Sequence, residues 1–159
     1  MKEVDSSEMI QQCLQLLEQC KTLQLATINA AGEPCASYAP YLWHEGAFYI
    51  FVSELAEHTQ ALKAGGCVSV MVIRDEAQTR NLFARERTVM TVQPEALESD
   101  THLLDLFEAR QGNTVQLLRT LKDFCLFRLS PLKTHYVAGF GKAYQIDFAT
   151  QQLEQRTRG

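Results

Sequence analysis

The chain has no apolar run near the roughly 18–20 residues that cross a bilayer, so no membrane-spanning helix is expected. Its first residues, MKEVDSSEMIQQ, lack the basic-then-apolar order of a signal peptide. It also lacks a cationic excess. Lysine and arginine number 15 against 19 aspartates and glutamates, a net charge of −4, which argues against nucleic acid as the main partner. No C-x-x-C joins Cys13, Cys20, Cys35, Cys67 and Cys125, and no H-x-x-x-H joins His44, His58, His102 and His135. Neither a disulfide framework nor a multidentate metal site is therefore expected. Reduced, mostly buried thiols and a cytoplasmic location are. A phosphate loop is absent too. Gly139-Phe140-Gly141-Lys142 fails the G-x-x-x-x-G-K-[ST] spacing, and no amphipathic helix follows it. Its plain reading is a bend in a strand where another backbone or a flat ligand comes close. There is no internal repeat, linker or low-complexity segment.

What is present is the composition of one globular domain over residues 1–159. Hydrophobic residues make up 46% and charged residues 21%, enough for a sizeable core. Asp5-Ser6-Ser7-Glu8 reads as a helix start. Ile10, Cys13, Leu14, Leu17 and Cys20 then recur at helical spacing over about residues 7–20. The period changes to that of strands at 21–29, 34–44 and 47–53, separated by the turns around Gly32 and Gly46. Short turns between three consecutive strands predict an antiparallel meander, with Pro40 holding the second to an edge or a bulge. A short helix at 56–64 closes on Gly65-Gly66. A central strand at 67–73 and a long strand at 82–93, ended by Pro94, follow. Ser99 or Asp100 caps a helix that Gly112-Asn113 breaks, and Val115 to Lys122 add a further helical turn or two. Asp123 to Ile146 reads as two long strands joined at a proline corner, then continued past a glycine break, and the tail is polar. Six or seven strands with hairpin connections and peripheral helices predict a mainly β (α+β) fold, an antiparallel split β-barrel.

Few residues stand out as chemistry. Arg85 and Arg87, two apart, are expected on one face of the long strand. Two guanidiniums side by side suit a phosphate or carboxylate, or salt bridges to nearby acids. His58 heads the short helix, between Ser53 and Thr59, where it can donate to an anion or cap backbone. His102 is expected at the surface, and His135 on whatever its strand faces. Asp123 opens an otherwise apolar strand, either half-exposed at the strand end or orienting another group.

The segments TLQLATINAAGEPCASYAPY (22–41), His58-Thr59-x-x-Leu62, VSVMVIRDE (68–76), NLFARER (81–87), DFCLFRL (123–129) and VAGFGKAYQI (137–146) resemble, in the same order, the HugZ/HutZ family of heme-utilisation proteins. That family lies among the pyridoxamine-phosphate-oxidase-like, FMN-binding split barrels. LFARxR and GFGxAYxI are the specific parts. The resemblance implies a homodimer with ligand sites at the subunit interface, heme binding, and for several members oxidative ring opening with iron release. It implies that Asp123 supports an iron-ligating histidine of the other subunit. It places Arg87 and His58 toward the interface and heme region, and makes Thr22 the cross-interface partner of His58. The family's ligand is a Gly-His pair near the C-terminus. No histidine follows His135 here, so either the gene product runs past Gly159 or the ligand is lost. The resemblance also implies FMN as an alternative cofactor, with Ser53, Thr59, Arg85 and Arg87 as a weak site and His58 where a lysine or arginine is usual. It leaves the electron donor open.

Overall fold

Helix α1 (Ser6–Gln19) starts where the sequence predicts. The Asp5 carboxylate accepts the Ser7 N–H at 2.9 Å, satisfying one of the first-turn donors that a helix leaves orphaned. In a computed structural model that describes residues 5–157, the further elements are β1 (Thr22–Ile28), β2 (Pro34–Pro40), β3 (Leu42–His44), β4 (Ala47–Ser53), α2 (Glu57–Lys63), β5 (Val68–Ile73), β6 (Arg87–Leu97), α3 (Thr101–Gln111), α4 (Thr114–Arg119), β7 (Phe124–Gly139), β8 (Lys142–Asp147) and β9 (Gln152–Arg156). The strands form one sheet in the order β2-β1-β5-β6-β7-β4-β3, with β8 on β7 and β9 on β8. Every pairing is antiparallel. No helix among the described residues is long and apolar enough to cross a membrane.

Several expectations are corrected, each for a backbone reason. The meander breaks at Tyr41. β2 pairs with β1 and β3 with β4, so the second expected strand is two edge strands divided just past Pro40, which cannot donate to a ladder. Pro94 does not end its strand, because β6 continues to Leu97. β5 follows β6 only as far as Val92. From there one side of β6 is an edge, where a missing N–H is tolerated. Pro131 makes no corner. β7 is a single 16-residue strand, and the register shift between Thr91 and Val92 leaves Leu132 as the extra residue of a bulge. Pro131 sits where β7 changes partner, after β4 ends at Leu129 and before β8 begins at Thr134. Gly139-Phe140-Gly141-Lys142 is a tight reversal, not a bend. Gly139 faces Lys142 across it, and Gly141 takes φ +72°. The polar tail contributes β9.

The inner face of the sheet carries the core. Leu25, Val70, Met90 and Ile146 lie there with Phe48, Ile50, Phe127 and Tyr136, all buried. Helix α1 adds Ile10, Cys13, Leu16 and Leu17 to the same core, and the Tyr41 hydroxyl donates to the Leu17 carbonyl at 2.6 Å. Helix α3, capped by Asp100 at Leu103 N–H, covers the outer face of β4 and the first part of β7, with Leu103 and Leu104 against Ala47, Tyr49 and Leu126.

Phe127 is fully buried opposite Ile50. Phe127→Ala is expected to cost about 3–5 kcal/mol, read as a lower urea midpoint at unchanged slope. Leu132→Ala, at the bulge and 61% exposed, should stay within about 0.5 kcal/mol of the parent.

Candidate functional site

The expected residues fall into two groups at opposite ends of the sheet. The first lies where β4 ends and β7 begins, a junction set by the pairing of Ser53 with Phe124. The Asp123 carbonyl accepts Glu54 N–H at 2.6 Å. Its carboxylate accepts the Ser53 hydroxyl at 3.2 Å, and the same hydroxyl oxygen accepts Leu55 N–H at 3.1 Å. Thr59 is fully buried and donates to the Ser53 carbonyl at 2.6 Å. Both hydroxyls that were expected to meet a phosphate are therefore engaged within the chain, and a carboxylate that would repel a phosphate adjoins them.

His58, in the first turn of α2, crosses to β2. Its Nδ1 lies 2.8 Å from the Ser37 hydroxyl. Its Nε2 is buried and has no hydrogen-bond partner among the described residues. Burial lowers its pKa, because the charged ring loses hydration. Within the chain its partner is Ser37, and Thr22 makes no hydrogen bond to it among the described residues.

The second group lies at the start of β1 and β6. The β5–β6 hairpin continues one step past the Ile73–Arg87 pair through an Arg74 N–H to Glu86 carbonyl bond of 2.9 Å. Residues 75–85 then form a loop of two 3-10 turns, Glu76–Gln78 and Leu82–Ala84, capped by the side chains of Asp75 and Asn81. The segment LFARE is thus not strand. Arg85 precedes β6 and Arg87 opens it, so the two do not share a strand face. Arg85 Nε donates to the Arg74 carbonyl at 2.5 Å, and Arg87 Nη1 to the Arg85 carbonyl at 2.9 Å. Glu86 roots the loop in the core. It accepts Arg74 at 2.6 and 3.1 Å and the Tyr136 hydroxyl at 2.5 Å. Burial, with Glu86 beside it, pushes the Tyr136 hydroxyl far above its usual range. A cleft of about 560 Å³ opens between the end of α1 and this loop, and Lys21, Thr22, Arg74 and Arg85 line it. Thr22 and Arg85 therefore share a cleft in which Lys21 and Arg85 outweigh Asp75, Arg74 being paired with Glu86, and an excess of cations suits a carboxylate or phosphate.

The groups stay apart within one chain. Asp123 precedes the first residue of β7, while Arg87 pairs with Val137 near its other end, roughly 40 Å further along the strand at the usual rise. Between them runs an outer face that sequence reasoning did not assemble. Tyr38, Gln24, Met71, Val89, His135 and Gln145 stand directly opposite one another across β2, β1, β5, β6, β7 and β8. Tyr38 is 67% exposed there. Leu82 and Phe83, read as the start of a strand, are 54% and 93% exposed on their 3-10 turn. A strand alternates inward and outward residues, but which outward residues meet depends on register.

The family model for pyridoxamine 5'-phosphate oxidase matches residues 9–138. The heme oxygenase HutZ of Vibrio cholerae is 38% identical over 130 residues, 79% of this chain and 74% of that protein. A crystal structure of HutZ, called there the heme storage protein from Vibrio cholerae, superposes with a TM-score of 0.72 at 33% identity over 77% of this chain and 89% of that one. The crystal structure of Campylobacter jejuni ChuZ gives a TM-score of 0.89 at 27% identity, over 98% of this chain and 65% of that one.

His58 and His135 both have pKa values lowered by burial, with Arg156 and Lys133 adding to the effect at His135. As pH falls, the unfolded chain takes up these protons before the folded one does. Stability is then complete above the unfolded value of about 6.5 and declines as pH drops from there toward the folded values. The urea midpoint should fall between pH 7 and 5, and His58→Phe should flatten part of that slope. An NMR midpoint for the His58 ring above about 6.5 would contradict this.

Proposed function

The chain belongs to the pyridoxamine 5'-phosphate oxidase family, and from that premise we propose a homodimeric split-barrel protein of heme utilisation that binds heme and opens its ring with release of iron. The observation that carries this reading is a pair of imidazoles, each with a buried nitrogen that nothing in the described chain satisfies, His58 Nε2 and His135 Nδ1. Buried polar atoms are nearly always partnered, so two orphaned ring nitrogens mark places that the described chain alone leaves incomplete. The likeness to HutZ, a heme oxygenase by name, supports the same reading.

Bound heme would supply the iron at which oxygen is activated and the ring that is opened. The chain's own part is to bind and orient. Lys21, Arg85 and Arg87 offer cations for its carboxylates, and Thr22 lines the same cleft as Lys21 and Arg85. His58, set by Ser37, presents a neutral ring. Asp123 keeps one carboxylate oxygen beyond the Ser53 contact, enough to accept the distal N–H of an iron-ligating imidazole and fix its tautomer. Because Asp123 and the cationic cleft lie at opposite ends of β7, a site that uses both needs two chains. The outer face has the half-buried apolar residues to join them, with no helix over the row from Tyr38 to Val89 among the described residues. Five free cysteines, none paired, suit the reducing cytoplasm.

Hemin added to the protein is expected to give a histidine-type Soret band that decays under ascorbate and oxygen, with ferrozine-reactive iron released. Asp123→Ala should slow that decay at least about 10-fold, the usual cost of losing a carboxylate behind a ligand. A band that persists in the parent protein would make it a heme carrier without turnover, and no band at all would end the heme reading. The family match favours a second reading, FMN binding by an oxidoreductase. It requires FMN fluorescence to be quenched on titration, against the engaged hydroxyls of Ser53 and Thr59.

The dimer should sediment at twice the 18.0 kDa of the chain. Val89→Asp, on the outer face, should shift it to monomer while far-UV circular dichroism is retained. A Val89→Asp protein that stays dimeric would move the interface elsewhere.

A further inference from the structure

Arg110 and Gln111 close α3 just before Gly112, and both side chains reach back to the junction of α1 and β1. Arg110 donates through Nη2 to the carbonyls of Glu18 and Cys20, the latter at 2.8 Å. Gln111 donates through Nε2 to the Lys21 carbonyl at 2.9 Å and to the Tyr41 carbonyl at 2.7 Å. Two adjacent side chains thus hold four carbonyls that lie far from them in sequence. Each bond goes to backbone that needs a partner. Helix α1 ends, like any helix, on orphaned carbonyls, and it has no basic residue of its own in its last turn. Arg110 supplies that cation from α3. β1 opens opposite Pro40, which has no N–H to give. The Lys21 carbonyl accepts Tyr41 N–H at 3.1 Å as well as the Gln111 amide, so both its lone pairs are used.

The backbone held in this way is one wall of the cationic cleft, which Gln19, Cys20, Lys21 and Thr22 line in succession. Arg110 and Gln111 do not line it themselves. The opposite wall is tied to this one by Arg74, whose Nη1 donates to Gln19 Oε1 at 2.6 Å while Glu86 holds the rest of its guanidinium. Among the described residues the Lys21 ammonium makes no ion pair, so the place of its charge follows from the backbone that carries it. Resting on the reading above that heme carboxylates lie in this cleft, we propose that Arg110 and Gln111 are positioning residues, which set Lys21 and Thr22 for those carboxylates from outside the cleft.

The clamp is itself well founded. Leu103 and Leu104 fix α3 on the outer face of β4 and β7, and Arg119 of α4 pairs with Asp105 and Glu108 along its side. A side chain on a packed helix locates its partner more closely than one on a loop. Without the clamp, residues 19–22 gain freedom that an anionic ligand must then remove, and the loss falls on carboxylate contacts alone.

The test titrates the 159-residue chain and its variants with hemin and, separately, with hemin dimethyl ester, which keeps the iron and the ring but has no carboxylates. The parent is expected to bind hemin about 10-fold more tightly than the ester. Gln111→Met, which keeps the side chain's length without its donors, and Arg110→Gln should each cut that preference about 3- to 10-fold by weakening hemin alone. Arg110→Lys, which keeps a charged donor, should restore most of it. Lys21→Gln should lower the preference likewise, and Gln111→Met added to Lys21→Gln should cost less than the two losses combined, because the clamp acts through Lys21. Both clamp residues are half-buried, and far-UV circular dichroism of each variant should match the parent. If the clamp variants weaken hemin and ester equally, the two residues serve only the fold and the inference is wrong. If they change neither affinity, it is wrong again and the heme reading stands. If the parent binds hemin and ester alike, the carboxylates lie outside this cleft, and the inference falls while heme binding stands. If the parent binds neither, the inference and the heme reading fall together.

Discussion

Strand β7 is the constraint on which the rest of the molecule depends. It hydrogen-bonds to β6 along nearly its whole length, and its other edge is divided between β4 and β8. One strand therefore belongs to two stretches of sheet, and the break between them falls at Pro131 and the Leu132 bulge. There the missing N–H and the extra residue cost no ladder bond. The inward residues of β7, among them Phe127, Leu129 and Tyr136, run through the core. Its outward residues pass from under α3 at Leu126 to the uncovered face at His135. Substitutions at 126–129 and 134–137 cannot be local, because those positions answer to two neighbouring strands.

The second constraint is the carboxylate of Glu86. It stands between an exposed loop and the buried Tyr136 hydroxyl, and it accepts two contacts from Arg74 as well. Removing either donor from a half-buried carboxylate leaves an under-compensated charge, which costs more than the bond itself contributes. The loop 75–85 is held at its root for this reason, even though Phe83 at its crest is 93% exposed. Arg85 is fixed by the same root through the Arg74 carbonyl. A cation held in this way meets an anionic ligand with little further loss of side-chain freedom.

Local signals were legible in the chain, and pairings were not. The Asp5 cap, the α1 face, the Gly65 stop and the Asp100 cap are local side-chain-to-backbone effects, and the sequence shows them directly. Pro94 and Pro131 misled because a proline's effect depends on whether a neighbouring strand needs its N–H, which only the sheet order decides. Arg85 and Arg87 misled because LFARER has the composition of a strand, while Asn81 capping Phe83 turns it into a 3-10 step. At the candidate site, the pairing of Ser53 with Asp123 and the placement of Thr22 beside Arg85 both join residues far apart in sequence. His135 was visible as a residue, but its significance lies in a row of opposite residues that exists only once six strands are in register.

That row also bears on why one fold can keep a mid-strand histidine without a partner. An orphaned buried nitrogen costs about 1–3 kcal/mol, and a chain under no other demand would replace the ring with valine or threonine, which suit an outward strand position better. Thr91 and Val89 show that this face accepts such residues nearby. Among the described residues nothing offsets that cost at His135. The same holds for His58, whose Nε2 is orphaned beneath α2 although Ser37 holds its other nitrogen. His58 has one fixed nitrogen and suits a positioning or proton-holding role. His135 has neither nitrogen bonded among the described residues.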